Sequence, residues 1–211
     1  MRNLLFGVIV LLSVSCVAQA DVVYDSQAAW AASVSGITTI NFEGIAPVDG
    51  YLNVTPATVV GGVTFGVGPA SLPGASLWVM GDNFYYPGYA VVSSQAAEGT
   101  LDLLVTLPSA ATAVGFNYIV GPGTMTVSLP DGTSVVLNPS GAGNNFGFFG
   151  VTAPGGITSV DITEPYTLSS EAINMADFSY GSATVPEPSA LLLLGTMMAG
   201  VGILCRRRRT N

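Results

Sequence analysis

Residues 124–138 read TMTVSLPDGTSVVLN, and this stretch decides the fold class. Met125, Val127 and Leu129 alternate with hydroxyl side chains, which is the period-two pattern of a strand with one buried face. Pro-Asp-Gly at 130–132 is typical of a tight turn, and a β-branched run follows it. The stretch therefore predicts a hairpin of two antiparallel strands, 124–129 and 134–138.

Similar short runs, separated by Gly, Pro and Asn, fill the chain from residue 38 to residue 180. They predict further strands at 38–42, 63–67, 77–80, 89–93, 101–107, 113–120, 146–151, 157–163 and 173–180. Residues 25–32 favour a short helix, with Asp25 as its N-cap. No crossover helices separate the strands, which argues against a parallel sheet. The expected fold is all-β: a single antiparallel two-sheet sandwich, jelly-roll-like, with an N-terminal signal helix and a C-terminal transmembrane helix outside it.

Charged residues are segregated along the chain. All 5 basic residues are arginines at the two ends, whereas every acid except Glu187 lies within residues 21–185, and the chain has no histidine. A body without cations does not suit nucleic-acid binding, because phosphates need basic partners. It also lacks a histidine base and the lysine of a P-loop, and no spacing singles out a pair of acids, so we expect no enzyme. The body has no cysteine for a disulfide or a thiol nucleophile.

The first 20 residues have the pattern of a secretory leader. Arg2 precedes the apolar run Leu4 to Leu12, and Ala18 and Ala20 form a small-x-small cleavage site before Asp21. We therefore expect export by the Sec machinery, cleavage after Ala20, and a mature body that occupies residues 21–184.

Residues 185–211 form a tail of a different kind. An apolar run, 189–205, separates a short motif from a basic cluster: Val185, Pro186, Glu187, Pro188 and then Arg206, Arg207, Arg208, Arg209. At 1.5 Å per residue, the stretch 190–205 spans roughly 24 Å, less than the ~30 Å apolar core of a bilayer. We interpret 189–205 as a short transmembrane helix whose arginines stop transfer and stay cytoplasmic. The alternative is an unprocessed single-pass anchor.

The order of these three parts resembles the PEP-CTERM sorting signal of exported proteins from Gram-negative bacteria. The resemblance implies recognition by an exosortase, which is a membrane peptidase, and removal or transfer of the tail near Pro186-Glu187-Pro188. It also implies a membrane-anchored precursor, a destination at the cell surface or outside the cell, and a host that makes exopolysaccharide.

The body resembles a jelly-roll-like sandwich of unassigned function that is common among PEP-CTERM proteins. The features that carry this resemblance are a short helix near the mature N-terminus and four motifs in order: Asn41-Phe42-Glu43-Gly44, Gly62-Val63-Thr64-Phe65, Phe148-Phe149-Gly150-Val151 and Asp177-Phe178-Ser179-Tyr180-Gly181.

Glu43 and Asp177 are candidate ligands of a structural Ca²⁺. In jelly-roll carbohydrate-binding modules, an early Phe-Glu and a late aspartate often share such an ion, and the first and last strands commonly lie side by side. Calcium takes hard oxygen ligands, which are what an acidic body without His or Cys offers. Here Ala176 stands where the usual late pattern has another acid. The alternative is a pair of solvated carboxylates.

Asp82, Asn83, Tyr85 and Tyr86 lie in an aromatic-rich segment around Pro87-Gly88. Rings that can stack on sugars, beside oxygens that can bind hydroxyls, suit carbohydrate recognition. The alternative is that the rings cap one end of the sandwich core. The sequence thus predicts an exported, non-enzymatic surface or matrix protein, with a secreted carbohydrate-binding module as the alternative function and exopolysaccharide as a candidate partner.

Overall fold

The structure is a computed structural model that describes residues 20–71, 73–84, 88–95, 99–119, 124–137, 147–165 and 172–184. The predicted signal helix, the cleavage residue Ala18, the whole tail 185–211 and the tyrosines at 85 and 86 lie outside these residues. Within the described part of the chain, no helix combines the length and the apolar character that crossing a bilayer requires.

The described body consists of one short helix and 12 strands, and the 12 strands form one hydrogen-bonded network. The helix α1 covers Gln27–Ala32. The strands are β1 Val22–Tyr24, β2 Val34–Ile40, β3 Tyr51–Asn53, β4 Ala57–Val60, β5 Val63–Val67, β6 Ser76–Met80, β7 Val91–Gln95, β8 Leu101–Ile119, β9 Met125–Ser128, β10 Ser134–Leu137, β11 Gly147–Glu164 and β12 Ala172–Ala183.

Strand pairing divides this network into two antiparallel layers. The first layer runs β4, β5, the first half of β8, the second half of β11, β9 and β10. The second runs β3, β6, β7, β12, the second half of β8, the first half of β11 and β1, with β2 beside the end of β12. Strands β8 and β11 thus belong to both layers, and the predicted all-β antiparallel sandwich is confirmed.

A core of phenylalanine rings holds the two layers together. Phe65 of the first layer meets Phe178 of the second edge to face, with ring centroids 5.8 Å apart, and Phe42 packs on Phe65 at 5.0 Å. All three side chains have no exposed surface. Burial of a ring of this size stabilises a fold by about 1.5–3 kcal/mol, so these contacts contribute strongly to the closure of the sandwich.

The helix α1 is held against the second layer by Trp30. Its indole is 2% exposed, and Nε1 donates a hydrogen bond to the carbonyl oxygen of Val151 at 3.3 Å. Gly115 and Gly150 lie directly opposite each other on β8 and β11 beneath this ring, and a Cβ on either glycine would press into it. The sequence correctly predicted a helix here, but its N-cap is Ser26, whose Oγ accepts from Ala29 N, and not Asp25.

The predicted strands 38–42 and 89–93 are displaced relative to β2 and β7, and the other differences lie at two bends and at three short edge strands. The hairpin around residues 130–132 and strand 63–67 are confirmed. The predicted breaks near Pro108 and Pro154 are wrong, because each proline lies where the β8–β11 register shifts and no ladder bond is required of it. Strands β1, β3 and β4 were not predicted, since they are short and mostly exposed.

Candidate functional site

The outer face of the second layer carries an apolar patch that is separate from the main core. Trp78 and Met80 lie on the side of β6 that points away from that core, because side chains alternate along a strand. Met80 packs with Val91 and Ala176, and Phe84 packs against this group from the loop that follows β6. Met80, Val91 and Ala176 are almost fully buried, whereas Trp78 and Phe84 are partly exposed, so these two rings are the members of the patch that a ligand can reach.

Two rings in this patch form a parallel stack at the edge of the sheet. Tyr51 lies on the edge strand β3 and stacks on Trp78, with ring centroids 4.5 Å apart and the planes 11° from parallel. Phe84 leans against Tyr51 at 5.4 Å and 55°. We call Tyr51, Trp78 and Phe84 the aromatic face. Tyr51 keeps 49% of its surface exposed, so the stack is open to solvent at this ring.

Backbone hydrogen bonds between two loops fix the position of the aromatic face. Asp49 N donates to the carbonyl oxygen of Asp82 at 2.9 Å, and Gly81 N donates to that of Gly50 at 2.8 Å. A Cβ on Gly81 would collide with the carbonyl of Pro47, so only glycine allows the loops to approach this closely. The rings are therefore held in place before any ligand arrives, which lowers the entropic cost of binding.

Polar atoms surround the aromatic face. Asn83 adopts a positive φ of 66°, and its Oδ1 accepts from Gly88 N at 3.0 Å, which shapes the loop between β6 and β7. Among the described residues, neither Asp82 Oδ1 nor Trp78 Nε1 has a hydrogen-bond partner, although both atoms are buried. Asn53 lies opposite Trp78 in the β3–β6 register. Asn53 and Asn83 are exposed, and their amide groups can bind ligand hydroxyls.

The charge around this site is negative. Asp49 and Asp82 lie in the two loops that hold the rings, and the sequence contains no basic residue between Arg2 and Arg206. A ligand with carboxylate or sulfate groups would meet repulsion without a compensating cation. The site therefore favours an uncharged ligand.

The structure places part of the predicted sugar loop and adds two rings that the sequence analysis missed. Asp82 and Asn83 lie beside the aromatic face, whereas Tyr85 and Tyr86 fall outside the described residues. Tyr51 and Trp78 were not predicted as site residues, because their strands are distant in sequence and β3 was not recognised. Trp78 and Phe84 pack on the outer face of a sheet and not at the end of the core.

Glu43 and Asp177, the predicted Ca²⁺ ligands, lie near each other in the topology. Ile40 of β2 pairs with Phe178 of β12, so the expected adjacency of the early and late strands is confirmed. Glu43 is exposed in the turn after β2, and Asp177, with a φ of 49°, accepts from Asn117 Nδ2 at 3.0 Å. Among the described residues, no group of three or more His, Cys, Asp or Glu side chains could hold a metal ion. The calcium site stays a prediction.

An open groove of about 400 Å³ lies at the other end of the second layer. Residues from both ends of the described body line it, among them Ala20, Val22, Ala183 and Thr184. Thr184 is tied to the turn after α1, since its N and Oγ1 both donate to the carbonyl oxygen of Ser33 at 2.8 Å. Residues 20 and 184, where the described body begins and ends, therefore both lie at this groove.

The sequence matches no protein-family model and no curated protein. Among solved structures, the chain is similar to a mutant of a family 29 carbohydrate-binding module, with 14% identity and a TM-score of 0.30 over 73% of this chain and 99% of that one. It is also similar to the enzymatically active domain of tailspike protein 4 of bacteriophage CBA120, with 15% identity and a TM-score of 0.24. That match covers 70% of this chain and 19% of the tailspike chain. Likenesses this weak carry no argument about function.

Proposed function

We propose that the body of this protein is a non-catalytic module that binds a neutral polysaccharide through the aromatic face. The parallel stack of Tyr51 on Trp78, open to solvent at a sheet edge, carries this proposal. The C–H groups on one side of a pyranose ring form an apolar surface that packs on a flat aromatic ring, while its hydroxyls need hydrogen-bonding partners. The exposed amides of Asn83 and Asn53 supply such groups beside the rings.

The proposal also specifies that the polysaccharide is uncharged. A body without a single basic residue has no partner for a uronic acid or a sulfate ester, and Asp49 and Asp82 add repulsion at the site. Neutral polymers, such as glucans or mannans, avoid this cost. Binding should accordingly depend little on salt concentration, since no ion pair contributes to it.

Affinity gel electrophoresis of the purified protein against a neutral glucan, a neutral mannan and the polyuronate alginate tests the proposal. We expect retardation by a neutral polymer and none by alginate. Tyr51→Ala should weaken binding by at least about tenfold, as loss of a central aromatic anchor does, whereas Tyr51→Phe keeps the ring and should bind nearly normally. Val136→Ala, at an exposed position on β10, is the matched control. Equal retardation of Tyr51→Ala and the native protein would refute the site.

We further propose that the protein is exported and sorted through its tail, as the PEP-CTERM resemblance implies. The meeting of residues 20 and 184 at one groove supports this, because the leader and the tail then join the body at the same end. The aromatic face lies near Ala176 on β12, roughly 23 Å along the strand from Ala183 at ~3.3 Å per residue. A precursor held by both ends would keep this face away from the membrane.

Intact mass spectrometry of the protein from its native host tests the sorting proposal separately. The expected chain begins at Asp21 and ends near Val185-Pro186-Glu187-Pro188, with any attached group visible as added mass. A native protein that still ends at Asn211, in cells that contain an exosortase, would contradict sorting and leave the sugar-binding proposal untouched.

A further inference from the structure

Two aspartates meet on the outer face of the first layer, far in sequence from the aromatic face. In the β8–β11 register, Asp102 is opposite Thr163 and Asp161 is opposite Leu104. The two acids therefore lie on one face of neighbouring strands, diagonally across the pair, which is within reach of side chains. Asp102 has no exposed surface at all, which is rare for a carboxyl group.

A loop of residues 68–71 closes over Asp102. Ala70 N donates to Asp102 Oδ2 at 2.6 Å, while Gly68 N and Ser71 Oγ donate to the Asp102 carbonyl oxygen at 3.1 and 3.2 Å. A Cβ on Gly68 would overlap the Asp102 carboxyl group, so only glycine allows this closure. Ser94 of β7 adds a bond from its Oγ to the same carbonyl oxygen at 3.1 Å.

One carboxyl oxygen of each aspartate lacks a donor within the described part of the chain. Oδ1 of Asp102 and Oδ1 of Asp161 are buried and, among the described residues, receive no hydrogen bond from an N–H or hydroxyl group. No titratable side chain is found in the elements that pack against the pair, which are β5, β7, β9 and the loop 68–71. On β11, the one other acid is Glu164, and it points to the opposite face because side chains alternate along a strand. Glu98 and Glu171 lie outside the described residues. No cation faces the pair from the described elements, because the chain has none between its ends.

A carboxyl proton is the hydrogen that these oxygens can share. Burial and the hydrogen bond with Asp161 raise the pKa of Asp102 from 3.8 to about 7, against the opposing effect of the Ala70 N–H. Asp102 therefore stays protonated in the folded protein across the mildly acidic range, where the unfolded chain has lost that proton.

We propose that Asp102 and Asp161 share one proton as a latch, which holds the loop 68–71 closed at acidic to neutral pH and loosens it above neutral pH. Without the proton, Asp102 is a buried negative charge beside a second, half-buried carboxyl group, and opening of the loop lets water reach it. The direction of the pH dependence follows from proton binding. Between about pH 4 and pH 7 the folded state holds more protons than the unfolded state, so the stability of the fold falls as pH rises through this range and levels off above it.

Asp102→Asn mimics the protonated pair, since its amide oxygen can accept from Ala70 N and its NH₂ can donate to Asp161. The pKa of Asp102 is 3.8 in the unfolded chain and about 7 in the folded protein. Between about pH 5 and pH 8.5, the folding equilibrium constant of the native protein should therefore fall roughly a hundredfold, whereas that of Asp102→Asn should lack this fall. Urea unfolding at a series of pH values measures this difference. Asp25→Asn, at an exposed acid, is the matched control and should track the native curve.

Hydrogen exchange on the native protein supplies a second, independent readout. The amides of Gly68 and Ala70 should open more readily above about pH 7, beyond the intrinsic rise of exchange with pH, and Asp161→Asn should remove that excess. Parallel stability curves for the native protein and Asp102→Asn would overturn the latch. So would stabilisation by millimolar Ca²⁺ at about pH 8.5 that Asp102→Asn abolishes, because the two oxygens would then belong to a metal site.

Discussion

A methyl group at Gly150 should test how α1 is attached to the sandwich. An ideal Cβ at this position would lie 2.6 Å from Trp30 Cδ1, 2.7 Å from Trp30 Cγ and 2.8 Å from Phe148 Cε1. Favourable carbon–carbon contacts need about 3.5–4 Å, so the indole must shift by about 1 Å. That shift also weakens the bond from Nε1 to the Val151 carbonyl, which is already 3.3 Å long. Because overpacking costs about 1–3 kcal/mol, we expect Gly150→Ala to lower the free energy of unfolding by about 3 kcal/mol.

A double-mutant cycle with Trp30→Ala separates this clash from any other effect of the methyl group. Trp30→Ala alone should cost about 3–5 kcal/mol, because it leaves a cavity between α1 and the second layer. Once the indole is gone, Phe148 has room to move away from the methyl group of Gly150→Ala, so the second substitution should cost less than about 0.5 kcal/mol. The expected coupling is therefore about 2–3 kcal/mol, within the range seen for residues in contact.

Urea unfolding at constant pH, followed by far-ultraviolet circular dichroism, measures all four proteins of the cycle. Gly155→Ala is the matched control, because nothing lies within 4 Å of its ideal Cβ, and it should stay within about 0.5 kcal/mol of the native value. If Gly150→Ala costs the same with and without Trp30, the reasoning about the glycine pair beneath the indole is wrong.

Two further predictions concern the core and an exposed turn. Phe178→Ala should cost about 3–5 kcal/mol in chemical unfolding, because the side chain is fully buried against Phe65 and Phe116; a cost below about 1 kcal/mol would contradict its place between the layers. Asp131 should titrate below its ordinary 3.8 in carbon-detected NMR, because Thr133 N donates to Oδ1 at 2.8 Å and thereby lowers the pKa of this exposed carboxyl group. The stability that it lends is present above about pH 4 and is lost as the pH falls through that lowered pKa; a titration at or above 3.8 would exclude the turn bond.

Local patterns predicted those elements that local chemistry specifies. Alternation at Met125 and Val127 indicated the buried face of β9, and both side chains are fully buried. The turn at 130–132 follows from glycine, since Gly132 has a φ of 93°. Prolines misled the prediction of β8 and β11, because a proline interrupts a strand only where the ladder requires its N–H, and a bend between two layers does not.

The candidate sites were less predictable than the strands. Asp82 and Asn83 could be found because they accompany aromatic residues in one short segment. Tyr51 gave no such signal, since it stands on a three-residue strand that pairs with β6 across an intervening hairpin. Asp102 and Asp161 are separated by most of β8, β9, β10 and β11, and no spacing connects them.

The sequence by itself determined that this is an all-β body, which residues of a strand share a face, and how charge is divided between the body and the ends. Those features are local, because the alternation of side chains and the chemistry of turns act over a few residues. Only the tertiary structure decided which strands became neighbours, and thereby placed Tyr51 on Trp78, Asp102 beside Asp161, and Trp30 over Gly115 and Gly150. The physical reason is that neighbours in a sandwich are chosen by the burial of one common core, which sums contacts over the whole chain.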